Sequence, residues 1–421
     1  MQSDPALERF DKLRVREVGT EDDHTASTFL AQFQSTAASL GPDEKIKLEV
    51  IYLRKSNMEL LKAVLADPQA SKICSLQWWY DGKEDVNSVI PMLINNCPEL
   101  ASLDVDFEHH YAFDFASSLL EHPGSKLKKL VMLENAKGDS ARFFAALGQS
   151  QVSAPTLSYF PELAQDLCEY LARDLLVRLD VWMNENQIPS EMILLLAKST
   201  RLVELNLVEC NFSPPTAFIH FPKSITTLTL DACMFVDGFD WSFLADSNLR
   251  ELDFHDVKGV DGVQLGSALA VHLGAKGLNK LRFAYCDFAD ETLAVAGVEL
   301  DRIKKLEIDG YLNGAPIELI SLALQSPNSE MKELALPYDD DTASSIEDYL
   351  VPVSKHPNCN LDKLVLWAYN EHEEAARKVE DTFRKHRALF VLLQGRQLRR
   401  RYCPLRRLPV EMFRLVGQVL S

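Results

Sequence analysis

Cysteine is scarce and scattered, eight in 421 residues. No Cys-x-x-Cys pair occurs and no His–Cys cluster has zinc-ligand spacing, which excludes a disulfide framework and a structural zinc site and points to reduced thiols in a cytoplasmic compartment. Long apolar runs are missing too. The best candidate, Leu389 to Leu393, falls far short of the ~20 residues that span a bilayer. Met1 to Glu17 is studded with charge and has no apolar core, so a cleaved secretory signal is not expected. Basic charge is in deficit, 44 Lys plus Arg against 62 Asp plus Glu for a net −18, a poor balance for gripping DNA or RNA. There is no Gly-x-Ser-x-Gly, no phosphate-binding glycine loop and no His-Glu-x-x-His. No enzymatic activity, cofactor, metal, nucleic acid or membrane span is therefore expected. What remains is ordinary globular chemistry, 47% hydrophobic and 25% charged, at a length that allows about three domains or one repeat array.

A repeat is present. Apolar residues recur as apolar, two residues, apolar, one residue, apolar. Leu202, Leu205 and Leu207 show it, as do Ile225, Leu228 and Leu230, then Leu249, Leu252 and Phe254. Further copies start at Leu278, Ile303, Met331 and Leu361, and upstream at Ile73, Leu100, Leu127 and Leu176; Leu48, Ile51 and Leu53 make a weaker first one. Successive copies lie 23 to 30 residues apart, with one gap of 49, so a degenerate copy is expected near Gln151 to Tyr159. The ninth position holds Asn135, Asn184, Cys210, Cys233 and Cys286, and phenylalanine follows two places later as Phe212, Phe235 and Phe288. Three apolar residues at this spacing predict one short strand per copy, and the remainder reads helical. No copy buries its apolar face alone, so neighbours must stack.

This pattern resembles the ribonuclease-inhibitor-like leucine-rich repeats over about residues 46 to 370. The Cys-x-Phe turn and the run from Asn96 to Leu103 resemble the cysteine-containing repeats of F-box proteins. The resemblance implies an α/β leucine-rich-repeat solenoid of about 12 repeats, parallel strands on a concave face and helices on the convex one. Residues 1–45 read as an N-terminal capping segment with a helix over Asp4 to Leu13, 46–370 as the solenoid, and 371–421 as a helical cap with a basic tail. Residues 150–175 read as a helical insertion.

Residues between the apolar strand positions point to the concave surface. The fifth and seventh positions place Asp104, Asp106, Asp180, Asp231, Asp253 and Asp309 there with His255, and three of the five tryptophans, Trp79, Trp182 and Trp367. Exposed tryptophan is a typical interface anchor. The functional reading is an acidic, aromatic groove for a protein partner with basic and apolar patches; the plainer one is a solvated acidic surface. His109 with His110 lacks a third ligand. Asp339 to Asp341 reads as a polar turn or helix cap, and Cys403 has no base around it.

The tail is distinct. Arg384 to Ser421 carries +9 against −27 for the rest. The run from Leu408 to Leu420 resembles the opening helix of an F-box, which implies docking on a ubiquitin-ligase adaptor through Leu408, Pro409, Met412, Leu415, Val416 and Leu420. The alternative is an amphipathic capping helix. The expected function is partner recognition, with a ligase substrate receptor as the sharper form. An inhibitor or GTPase-regulating repeat protein, or a bacterial effector acting in a host cytoplasm, are the other forms.

Overall fold

The structure is a computed structural model. It describes residues 10–15, 23–41, 44–53, 55–80, 86–107, 112–133, 138–152, 154–158, 164–183, 187–212, 221–236, 239–310, 312, 314–368 and 372–402. The chain divides into two compact units, Met1–Val208 and Glu209–Ser421.

In the first unit the strands Phe10–Val15, Lys45–Leu53, Ile73–Tyr80, Ser102–Phe107, Lys129–Leu133, Ala154–Ser158, Arg178–Trp182 and Glu204–Val208 pair parallel, each with the next in the chain. In the second, Thr227–Asp231, Glu251–His255, Leu278–Ala284, Ile303–Asp309, Glu333–Pro337 and Lys363–Trp367 do the same. Parallel neighbours need a crossover, and the intervening segments supply it as helices. The register aligns equivalent positions: Leu228 opposite Leu252, Leu252 opposite Leu281, Leu281 opposite Leu306. All four are at most 1% exposed. Their side chains form continuous apolar rows that only stacking can bury, and each unit is an α/β leucine-rich-repeat solenoid.

The strand ends turn on a second repeated device. Glu209, Ala232, Asp256 and Tyr285 all have φ between 46° and 55°, and Gly310 has φ 107°. Each of the four sends its N–H to the carbonyl that closes the next strand: Glu209 to Asp231, Ala232 to His255 and Asp256 to Ala284 at 2.8 Å, Tyr285 to Asp309 at 2.7 Å. A left-handed non-glycine residue costs about 1–2 kcal/mol; here one inter-repeat hydrogen bond offsets it. The ninth-position thiols lie behind this turn. Cys233 Sγ donates to the Asp231 carbonyl and Cys286 Sγ to that of Ala284. Below them Phe212 stacks on Phe235, centroids 4.4 Å apart.

Several expectations are corrected. The described part of the segment read as a helix over Asp4 to Leu13 is the strand Phe10–Val15, and the helix Asp23–Ser39 follows it. Leu13 pairs with Leu48, and Leu48 with Leu76. Leu48 is therefore the middle apolar position of its copy, not the first. The 49-residue gap does hold a copy, Ala154–Ser158, with Pro155 opposite Leu130 where other copies carry leucine. The helix Ala164–Leu171 is the crossover of that copy, so residues 150–175 are a repeat and not an insertion.

The helix Glu373–Tyr402 packs on the last strand through Ala376, Val379 and Phe383. On this helix Ala376 is buried and Ala375 half-buried. An edge strand leaves unpaired N–H groups, and Glu380 Oε1 accepts that of Leu366 at 2.7 Å. Glu380→Ala is expected to cost about 1.5–3 kcal/mol, the range for a hydrogen bond to a charged group. Amide exchange at Leu366 should accelerate; unchanged protection would show that the carboxylate does not close the edge.

His272 is 2% exposed on the helix Gly262–Lys276. Its Nδ1 lies 2.9 Å from the Leu244 carbonyl and its Nε2 3.1 Å from that of Leu249. Burial pushes the imidazole below its ordinary value, outweighing backbone bonds that favour the charged form, and Lys276 and Arg250 push the same way. The unfolded ring takes its proton near pH ~6.5 while the folded one still resists it. Between those points the unfolded state binds more protons, so stability falls as pH drops below about 6.5. His386, lowered by burial and by Lys355, acts in the same direction. Denaturation midpoints across this window should decline toward acid, with a shallower slope in His272→Gln; equal slopes would contradict the assignment.

Candidate recognition face

Along each strand the third, fifth and seventh positions alternate with the buried ones, so they share one sheet face. In the second unit this face is a charge-alternating lattice. Asp253 takes Lys280 Nζ at 3.0 Å and Arg282 at 3.7 Å. Glu307 takes Lys305 Nζ at 2.7 Å, Lys280 at 3.6 Å and Arg282 at 3.9 Å. Lys305 also reaches Glu333 at 3.5 Å. The two acids are only 15% and 16% exposed. Burial alone would raise Glu307, but the hydrogen bond from Lys305 and the charges of Lys280, Lys305 and Arg282 hold it below the usual carboxylate range. The hydrogen bond to Glu307 is in turn the main reason that Lys305 is raised.

Asp253, expected as an open acid, is thus paired with Lys280 of the third position, a row the fifth- and seventh-position reading leaves out although the strand period of two puts it on the same face. The same holds in the first unit. Asp180 is 5% exposed and held by Arg178 at 3.1 Å, and Arg178 also meets Glu204 at 3.0 Å.

Other expected residues fall as follows. Asp231 Oδ1 and His255 Nδ1 are 2.5 Å apart, both partly exposed. The His255 ring meets the edge of Tyr285 at 5.8 Å. Asp104 and Trp182 are half-buried on the strand face of the first unit. Trp79 and Asp106 lie on their strands, but their side chains are outside the described residues, as is all of Leu408, Pro409, Met412, Leu415, Val416 and Leu420. His109, His110 and Cys403 are outside them too. Among the described residues no group of three His, Cys, Asp or Glu could hold a metal ion. Cys210, Cys233 and Cys286 are buried, and burial pushes the Cys286 thiol up to about 11, so these are packing groups and not nucleophiles. Asp339 Oδ1 accepts the N–H groups of Asp341 and Thr342 at 3.1 and 3.0 Å, the geometry of a turn.

The structure brings two expected residues together. Asp309 and Trp367 line one cavity of about 430 Å³ with Glu373, Ala376, Arg377 and Glu380 of the C-terminal helix. Nothing in the local sequence signals that helix as a wall of the site; only its packing on the last strand puts it there.

The arrangement offers ion pairs, an indole and an imidazole on an open sheet, suited to noncovalent recognition. No protein-family model matches the sequence, and no curated protein does. Three solved structures are similar to it. A chain of the yeast Rad7 and Elc1 complex is 14% identical, with 84% of this chain and 88% of that one covered at a TM-score of 0.46. An internalin of Listeria monocytogenes is 12% identical, covering 80% and 93% at 0.40. The plant peptide hormone receptor RGFR1 in complex with RGF2 is 10% identical, covering 77% and 50% at 0.31. Independently of these likenesses, one parallel strand per copy, leucines in register and a repeated turn with a buried thiol make this a leucine-rich-repeat fold.

Proposed function

We propose that the chain is a protein-recognition scaffold that binds its partner on the strand face. One observation carries this reading. All-parallel sheets are ordinarily covered on both faces; in the second unit the helices pack on one, while the other keeps Asp231, His255, Lys280, Arg282 and Trp367 partly exposed. A lattice of fixed, alternating charge with apolar rings set into it selects a partner by complementarity more than by bulk attraction.

The test compares two variants in affinity purification with mass spectrometry. His255→Ala with Thr229→Tyr alters the strand face outside the Asp253–Glu307 lattice; Leu322→Glu alters an exposed helix position. A partner retained by wild type and Leu322→Glu but lost from the strand-face variant supports the proposal. The opposite pattern would sink it. Asp253→Ala is a poor probe, because it strands Lys280 and Arg282 without their shared carboxylate.

A finer reading, supported by the F-box-like run from Leu408 to Leu420, is that this scaffold is a substrate receptor whose tail recruits a ubiquitin-ligase adaptor. Leu408→Asp with Leu415→Asp should then abolish co-purification of adaptor components while the strand-face partner stays. The inhibitor, GTPase-regulating and host-directed effector readings use the same surface and differ in the partner recovered. No described helix is long and apolar enough to cross a membrane.

A further inference from the structure

The seventh-position row of the second unit ends in Asp309, Pro337 and Trp367, and the cavity of about 430 Å³ opens there. Leu366 and Ala376, both buried, also border it. Its walls carry three carboxylates, Asp309, Glu373 and Glu380, against one guanidinium, Arg377.

Those groups are not equally available. Glu380 is committed to the Leu366 N–H at 2.7 Å. Glu373 holds Arg377 at 3.0 Å, an exposed pair four residues apart on one helix. Asp309 makes no ion pair with any described residue, and it lines the same space as the half-buried indole of Trp367. An uncommitted carboxylate and an indole around one opening are complementary to a planar, weakly hydrated cation. Such a cation stacks on indole and bonds a carboxylate at once. A lysine ammonium, compact and strongly hydrated, uses the indole less well.

We propose that this cavity is the anchor subsite for an arginine side chain of the partner protein, its guanidinium lying on Trp367 and paired with Asp309. The proposal rests on the strand-face reading above and names the chemistry of its partner. Charge complementarity argues for this occupant: the walls carry a net deficit of positive charge that one guanidinium corrects.

The test uses the full chain and N-acetyl-arginine methylamide, followed by ligand-observed saturation-transfer NMR, with the neutral isostere N-acetyl-citrulline methylamide as control. The arginine compound should bind with a dissociation constant on the order of millimolar. Citrulline should bind about tenfold or more weakly, and so should arginine to Asp309→Asn and to Trp367→Leu. Melting temperatures of both variants show whether the fold is kept, and Asp309→Asn is close to isosteric. Equal binding of the two compounds, no binding of either, or arginine binding unchanged in both variants would overturn the proposal. Binding seen only when Arg406 and Arg407 are changed to alanine would assign the cavity to this chain's own tail and overturn it as well. Failure here is separable from failure of the function. A strand-face variant that loses its partner while wild type ignores the arginine compound removes the subsite alone; arginine binding with the partner indifferent to the strand face removes the function alone.

Discussion

Phe254→Ala is expected to destabilise the second unit by about 4 kcal/mol, the range for removing a fully buried phenylalanine. The ring is 0% exposed. It stacks on Phe283 with centroids 5.4 Å apart and planes 10° from parallel, and meets Trp241 and Phe288 edge-on at 5.8 and 5.6 Å. Alanine there forfeits the burial of a large apolar surface and leaves a void that fixed neighbours cannot close. The strand Glu251–His255 is hydrogen-bonded on both sides, so the backbone cannot move in to fill the gap. In a repeat stack this ring also bridges copies, and its loss weakens the interface between them as well as its own unit. Urea unfolding followed by tryptophan fluorescence measures the effect. Val263→Ala, at a position 53% exposed, is the control and should shift stability by less than ~0.5 kcal/mol. A loss for Phe254→Ala no larger than the control's would show that these rings are not a shared core.

Gly259→Ala is expected to cost about 3 kcal/mol, at the upper end for a strained backbone position. Gly259 has φ +73°, and a Cβ there would stand 1.9 Å from the Phe235 carbonyl oxygen. That oxygen cannot simply retreat. Phe235 N–H is bonded to the Lys258 carbonyl and Lys258 N–H to that of Cys233, both at 2.9 Å. The added methyl must break this pairing or push the chain apart. Gly274→Ala reverses the sign. Gly274 is exposed in the helix Gly262–Lys276, and the nearest atom a Cβ there would meet is the end of the Glu299 side chain at 3.4 Å. Alanine should stabilise there by about 0.5–1 kcal/mol. Thermal melts of the two variants should move in opposite directions. Parallel shifts would mean that the glycines differ in nothing but solvent exposure.

Much of the architecture was legible because burial rows in a stack demand the same residue types at the same spacing. Leu228, Leu252, Leu281 and Leu306 are one such row, and the register confirms their phase. Misses occur where a different chemistry fills the row. Pro155 stands in a leucine position, so an apolar pattern built on leucine passes over it. Phe10, Leu13 and Val15 fit the pattern fully, yet the charged residues around them read as a helix until the pairing with Leu48 is seen. The turn was half legible: the thiols mark it, but Glu209, Ala232, Asp256 and Tyr285 adopt left-handed backbone with no glycine to announce it, because the hydrogen bond to the next strand compensates.

The site was less legible than the fold. Alternation assigns a residue to a face, but not a partner to a charge. Asp253 reads as an open acid until Lys280 of the following copy is set beside it, and Asp180 until Arg178 is. The cavity at Asp309 and Trp367 needs the C-terminal helix as its wall, and a helix contributes that wall through tertiary packing alone. Periodicity locates surfaces; the pairing of charges across copies decides what those surfaces offer.

The central claim is that the partner covers the sheet and leaves the helices bare. Carbodiimide footprinting of carboxylates, read by mass spectrometry with and without the co-purified partner, measures it directly. The expected result is strong protection of Asp231, Asp309 and Glu333 on the strand face, with Glu291 and Glu318 of the helices modified equally in both samples. Protection of Glu291 and Glu318 with no change at Asp231, Asp309 and Glu333 would contradict the account.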